Sequence, residues 1–394
     1  MSAARIVRTR LTWLTYAQLS VYGFFLYGFG PSVPLQRDDL HLSSAIGGLH
    51  GTALATGSTI AGFAFARVSG RLGRAATLRV GLLGLAVGTA VYCLVPVLPA
   101  TLAGALLCGL FGTFVVTGSV VVLSTAHGSA GPAAVTEANA GAVGVGLVTP
   151  LLLGAGESLG IGWRPGLLLP AVAAVAVWVV SVREKRRLDV ATDAQVATAV
   201  GVAPDEPGPL PSAYWLVWTI VLCCIAVEFC LTFWAADGLR DRAGASPAAA
   251  TAGVTAVVGG MFIGRVAGGR IALRYAPSTL LLVSVGVALV GFLGFWLSTA
   301  PVPAMAGLVV VGIGISVQYP LGTVLAVAAS GGRPDRAAGG LSIAAGLASG
   351  IAPFVLGALA DRAGVHTAFL LVPGLLAAAL IGVLLSRRPQ TTAP

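Results

Sequence analysis

Long apolar runs separated by short polar breaks fill almost the whole sequence. Twelve of them fall at approximately 11–33, 44–66, 77–96, 100–123, 136–157, 165–182, 213–237, 248–271, 278–298, 303–329, 338–359 and 368–386. Each is about 20 residues long, enough to cross roughly 30 Å of hydrocarbon as a helix. They are too long for barrel strands and do not alternate polar with apolar positions, which excludes a membrane β-barrel. The pattern predicts an all-α polytopic membrane protein with 12 transmembrane helices. The longest polar interval, residues 183–212, is rich in charge and proline and separates six runs from six. It predicts an N-terminal six-helix bundle over 1–182, a linker over 183–212 and a C-terminal six-helix bundle over 213–394.

One position breaks the pattern. Within the seventh run, VLCCIAVEFCLTFWAAD (221–237), stands the carboxylate of Glu228, with no basic residue within nine positions. An ionised group at bilayer depth costs at least about 2.5 kcal/mol, so such residues normally face a bundle interior or a water-filled path and mark function. The competing expectation is a protonated side chain hydrogen-bonded between helices.

Composition agrees with the pattern. Hydrophobic residues make up 57% and charged residues 9%, against about 25% charged in soluble domains. The 54 glycines suit close approach of helix backbones in lipid, where no hydrophobic drive brings helices together. Alternating the runs from an inside N-terminus leaves only Arg37, Arg164, Arg240, Arg242 and Arg362 outside, so 18 of the 23 basic residues lie inside. That bias predicts cytoplasmic termini. It also disposes of nucleic-acid binding as the reason for the +9 net charge, because the basic residues are spread over cytoplasmic loops. The first run follows a charged start but continues past signal-peptide length, and it is expected to be a span.

All five cysteines fall within the runs, with no zinc or redox spacing, and are expected to be small core residues. The four histidines are scattered without a ligand pattern. Lys185 is the sole lysine, so no phosphate-binding loop ending in Gly-Lys-Ser/Thr is present. No paired carboxylates or nucleophile constellation appear in the runs, so no enzyme chemistry and no cofactor are expected.

The two halves resemble each other. Residues 149–170 align without gaps to 352–373 and share seven of 22 positions, among them Pro150/Pro353, Gly154/Gly357 and Pro170/Pro373. Arg67–Arg71 (RVSGR) is echoed by Arg265–Arg270 (RVAGGR) at nearly the same offset. A parallel duplication of six helices around a cytoplasmic linker is how major facilitator transporters are built. The loop ARVSGRLGRAATL (66–78) resembles that superfamily's loop motif at Arg71, Gly73 and Arg74, with Gly70 where an Asp is usual and Ala66 where a Gly is usual. Gly162-Trp163-Arg164, Gly264-Arg265 and the run from Gly357 through Asp361-Arg362 to Gly364 are similar to other superfamily signatures. Two features depart from the superfamily's patterns: Ala105 stands where many proton-coupled members carry a buried Arg, and Thr149-Pro150 replaces the Gly-Pro common in drug/proton antiporters, although Gly154 remains.

The resemblance implies a central cavity lined by the first, fourth, seventh and tenth helices. Polar and aromatic residues at mid-depth there are the candidate substrate or coupling residues. They are Gln18 and Tyr22 (with Phe25 at i, i+4 and i+7), Thr113, Glu228 with Phe233 and Trp234 nearby, and Gln318 with Tyr319. Pro320 follows, where proline can free a carbonyl to line a cavity. Arg71, Arg74 and Arg265 are the candidate gating residues; Asp237 and Asp361, near run ends, are expected to be caps. The implied activity is secondary active transport of a small organic solute across the inner membrane by alternating access. Glu228 then serves as proton-coupling site or as counter-ion to a cationic substrate. The lipid bilayer, the solute and protons are the expected partners, and a monomer the expected working unit. The alternatives are an efflux pump for amphipathic or cationic compounds and, from another class, a membrane-embedded receptor or enzyme without transport.

Overall fold

The computed structural model describes residues 7–127, 131–184, 208–271 and 275–386. Most of the expected linker, residues 185–207, lies outside them. Among the described residues all regular structure is helical: α1 (Arg10–Asp39), α2 (Ser44–Leu72), α3 (Arg74–Leu94), α4 (Leu98–His127), α5 (Gly131–Gly146), α6 (Val148–Ser158), α7 (Arg164–Arg183), α8 (Ser212–Asp241), α9 (Pro247–Gly253), α10 (Thr255–Ile271), α11 (Pro277–Leu297), α12 (Pro301–Ile315), α13 (Gln318–Ala328), α14 (Pro334–Ala363), α15 (Val365–Ala368) and α16 (Leu371–Ser386).

Ten stretches among these are long and apolar enough to cross a membrane. Four of the ten are helix pairs interrupted by one or two residues: α5–α6, α9–α10, α12–α13 and α15–α16. The two remaining expected runs are α1 and α2, 30 and 29 residues long. In α1 the polar residues that lower its hydropathy, such as Thr12, Thr15, Gln18, Ser32 and Gln36, are buried. Several helices overrun the apolar runs; α1 ends at Asp39 rather than near 33. A helix of this length measures about 45 Å, so apolarity marks only the part inside roughly 30 Å of hydrocarbon.

Proline accounts for three of the four interruptions. Pro150, Pro320 and Pro373 are each the third residue after a break. Proline cannot donate to the carbonyl four residues back, and its ring crowds that carbonyl. The helical ladder therefore opens at Gly146, Ser316 and Phe369. The break at Val254 has no such proline, and we have no physical account of it. The repeat is imperfect here, since Pro353 and Pro170 lie inside unbroken helices.

The chain divides into two compact units, Met1–Leu42 with Leu49–Val202, and Ser43–Gly48 with Ala203–Pro394. In the first, α3 packs along α4 and α7, and α1 along α5 and α7. Asp39 at the end of α1 ties these helices together. Its carboxylate accepts the Trp163 indole N–H at 2.9 Å and pairs with Arg164 at 2.7 Å. Arg164 Nε also donates to the Cys93 carbonyl at the end of α3, at 3.0 Å. In the second unit, α8 packs along α14 and α16, and α12 runs between α10 and α11. There α12 approaches both neighbours at backbone distance: a Cβ on Gly312 would meet Val257 of α10, and one on Gly314 would meet Ala288 of α11. Within this unit Asp361 accepts the Ser44 and Ala45 N–H groups at 2.8 and 2.7 Å. It is a cap, as its place near a run end predicts.

Candidate functional site

The break between α12 and α13 positions the chemistry of the second unit. Pro320 leaves the Ser316 carbonyl without its helical donor, and the Arg265 Nε of α10 donates to that carbonyl at 3.5 Å. Arg265 can reach it because its neighbour is Gly264, where a Cβ would collide with Ser316 and the Ile313 carbonyl. The side chain of Arg265 is only partly exposed. Glu228, midway along α8 and also partly exposed, interacts electrostatically with it. Tyr319 lies within electrostatic reach of Glu228 as well, and the Thr323 hydroxyl one turn on donates to the Tyr319 carbonyl at 2.9 Å.

Gln318 is 2% exposed, and neither atom of its amide has a hydrogen-bond partner. Packing places it on the side of α13 that meets α8. Gly322, four residues on, lies against Val221 of α8. Val221, Cys224 and Glu228 occupy positions i, i+3 and i+7, one stripe of α8. Gln318, one turn before Gly322, therefore shares the face of α13 that meets α8. Glu228 thus has Arg265 and Tyr319 within electrostatic reach, an association that the sequence pattern did not make, because it treated Arg265 as a gating residue apart from Glu228.

Phe233 and Trp234 sit deeper in the packing. Trp234 is 1% exposed and donates its indole N–H to the Pro353 carbonyl of α14 at 3.0 Å. Phe233 is buried, its ring 6.2 Å from that of Phe229. Both anchor α8.

The candidates of the first unit separate. Gln18 donates to Ser181 of α7 at 3.2 Å, in a buried niche that Thr15 and Arg79 also line. The Tyr22 ring lies on Gly112 of α4, next to partly exposed Thr113. Arg71 is exposed at the end of α2, and Arg74 starts α3 with one guanidinium nitrogen buried and unpartnered. A Cβ at Gly70 would meet nothing within 4 Å, so packing does not explain the missing acid. Two polar clusters escaped the sequence reading. Arg8 pairs with Glu137 at 2.9 Å while Tyr16 donates to the same carboxylate at 3.2 Å. Fully buried His50 shares a hydrogen bond with Thr101 at 2.9 Å. No signal could have found them, since their members lie far apart in the chain.

Helices of spanning length, an internal duplication and a polar cluster at mid-depth define a polytopic membrane transporter. A family model described as Major Facilitator Superfamily matches residues 16–327 and 217–394, and the chain belongs to that superfamily. It is a secondary active transporter of small solutes, working by alternating access. Solved structures similar to it include the xylose transporter XylE from E. coli in a partially occluded inward-open conformation. That likeness has a TM-score of 0.74 at 11% identity, covering 98% of each chain. A D-xylose–proton symporter gives 0.70 at 13% identity, covering 97% of this chain and 98% of the other. The transporter FucP in its outward conformation gives 0.63 at 16% identity, covering 96% and 99%. At these identities the likeness is one of fold. No curated protein matches the sequence.

Proposed function

We propose that this transporter couples movement of a small organic solute to protons, with Glu228 as the coupling group. The observation that carries this is the Glu228 carboxylate, partly exposed midway along α8 and within electrostatic reach of Arg265. A carboxylate within a spanning helix and near a cation can take up and release a proton as its surroundings change. The same arrangement weighs against a cationic substrate, because Arg265 already supplies the positive charge. Solved neighbours described as a D-xylose–proton symporter and a fucose–proton symporter agree with proton coupling. Proteoliposomes loaded with a pH-sensitive dye test this. Addition of a transported metabolite is expected to move protons in step with it. Solute movement without proton movement would remove the coupling.

The proposal extends to organisation. The halves 1–182 and 213–394 act as the two moving bundles, residues 183–212 link them, and a monomer is the working unit. The protein sits in the inner membrane with both termini in the cytoplasm, supported by the concentration of basic residues in alternate loops. A cysteine introduced into 183–212 is expected to resist membrane-impermeant thiol reagents in intact cells, while one beside Asp241 labels. The opposite pattern would invert the orientation.

A further inference from the structure

Helix α2 is shared between the two units. Its start, within Ser43–Gly48, belongs with the second unit, and the helix from Leu49 onward belongs with the first. The start of α2 is held by one stripe of α14. Pro353, Gly357 and Asp361 recur every four residues there, on a single face of the helix. A Cβ on Gly48 would lie 3.0 Å from the Pro353 carbonyl oxygen and 2.8 Å from the Phe354 Cα. A Cβ on Gly357 would lie 2.6 Å from the Ser44 carbonyl oxygen. Glycine at both positions lets the two backbones touch, as small residues do where helices meet in lipid.

Asp361 closes the stripe. Its two carboxylate oxygens accept the Ser44 and Ala45 N–H groups at 2.8 and 2.7 Å. Donors in a first turn have no acceptor within their own helix. The Ser43 hydroxyl serves the Ile46 N–H at 3.3 Å, so α2 caps part of its own start and takes the rest of its cap from α14. A carboxylate in this place gains charge-assisted hydrogen bonds and the positive end of the helix dipole. Asp361 is exposed and Ser44 partly so, and water can therefore replace either partner when they separate. A contact that is close-fitting yet open to water suits repeated making and breaking.

We propose that Asp361 is a latch residue of alternating access, holding the start of α2 on α14 while the outer end is shut and releasing it when that end opens. This rests on the orientation proposed above, which puts the start of α2 and the end of α14 on the outer side. Asp361 acts through the backbone of α2 and touches no solute, so it positions rather than binds. Gly48 and Gly357 set how closely the latch can shut.

The rate at which a membrane-impermeant maleimide labels the full-length protein tests this, with a reporter cysteine introduced as Ala45→Cys or Phe354→Cys. The native cysteines are buried. Asp361→Ala is expected to speed labelling of both reporters from outside intact cells by about fivefold, the shift that follows from losing one helix cap. Gly357→Ala, which keeps the carboxylate but forces the backbones apart, should do the same. Asp361→Glu keeps both acceptors and should label close to the rate of the unaltered protein, with Asp361→Asn between. If Asp361→Ala does not reach the membrane, Asp361→Asn and Gly357→Ala carry the comparison. Unchanged labelling in these variants would overturn the latch. Faster labelling at position 45 alone, with 354 unchanged, would also overturn it, leaving Asp361 as the cap of a fraying helix end. Acceleration seen only in inverted vesicles would keep the latch and overturn the orientation.

Discussion

Glu228→Gln is expected to abolish solute accumulation driven by a pH gradient while leaving exchange of solute across the bilayer intact. Gln keeps the size and hydrogen bonding of the side chain but cannot ionise. Each pH unit of gradient is worth about 1.4 kcal/mol, or roughly tenfold accumulation, to a transporter that moves one proton per solute. Proteoliposomes containing the variant should therefore bring solute to equal concentrations and stop. Loss of binding in place of loss of coupling would point to a cationic substrate paired with Glu228. Wild-type accumulation with an unchanged pH profile would reduce the residue to a hydrogen-bonding group between helices.

Arg265→Ala should impair transport far more than Arg71→Ala, measured as initial uptake at equal protein in the membrane. Arg265 is partly buried, holds the Ser316 carbonyl at the helix break and faces Glu228. Removing it takes a nearby counter-charge from the Glu228 carboxylate within the helix bundle. Arg71 is exposed at the end of α2, where its loss alters little beyond the charge of a loop. Equal, small losses would leave both as determinants of orientation alone.

The spans were legible because lipid imposes a simple rule: about 20 apolar residues for each crossing. The helix ends were not, because hydrogen bonding continues beyond the lipid through Gln36, Arg37 and Asp38. The break at Gln318-Tyr319-Pro320 could be anticipated, since proline removes one donor at a fixed distance. That the freed carbonyl goes to Arg265 could not. Helical spacing placed Gln18 and Tyr22 on one stripe, yet Gln18 reaches α7 and Tyr22 lies on α4. A stripe narrower than a helix face still spans two neighbours when α1 is packed by several helices. Glu228 stood out because a charge in an apolar run is rare. Its surroundings were hidden, since Arg265 and Tyr319 lie 37 and 91 positions away in the chain. The clasp of Asp39 on Trp163 and Arg164 shows the same limit: the residue pair was visible and its partner was not.

Gly264 and Gly312 carry no functional group, yet they set how near α10 lies to α12. A methyl at Gly312 would meet only main-chain atoms of α10, and one at Gly264 would meet the Ile313 carbonyl and the Cβ and hydroxyl of Ser316, of which only the hydroxyl can rotate away. The two helices would have to separate, and Arg265 would withdraw from the Ser316 carbonyl and shift relative to Glu228. Coulomb attraction weakens with distance most steeply at short range and in low dielectric. Two residues with no charge thus set a spacing on which the proposed coupling depends, and drift at either is expected to surface as altered ion coupling before any loss of fold.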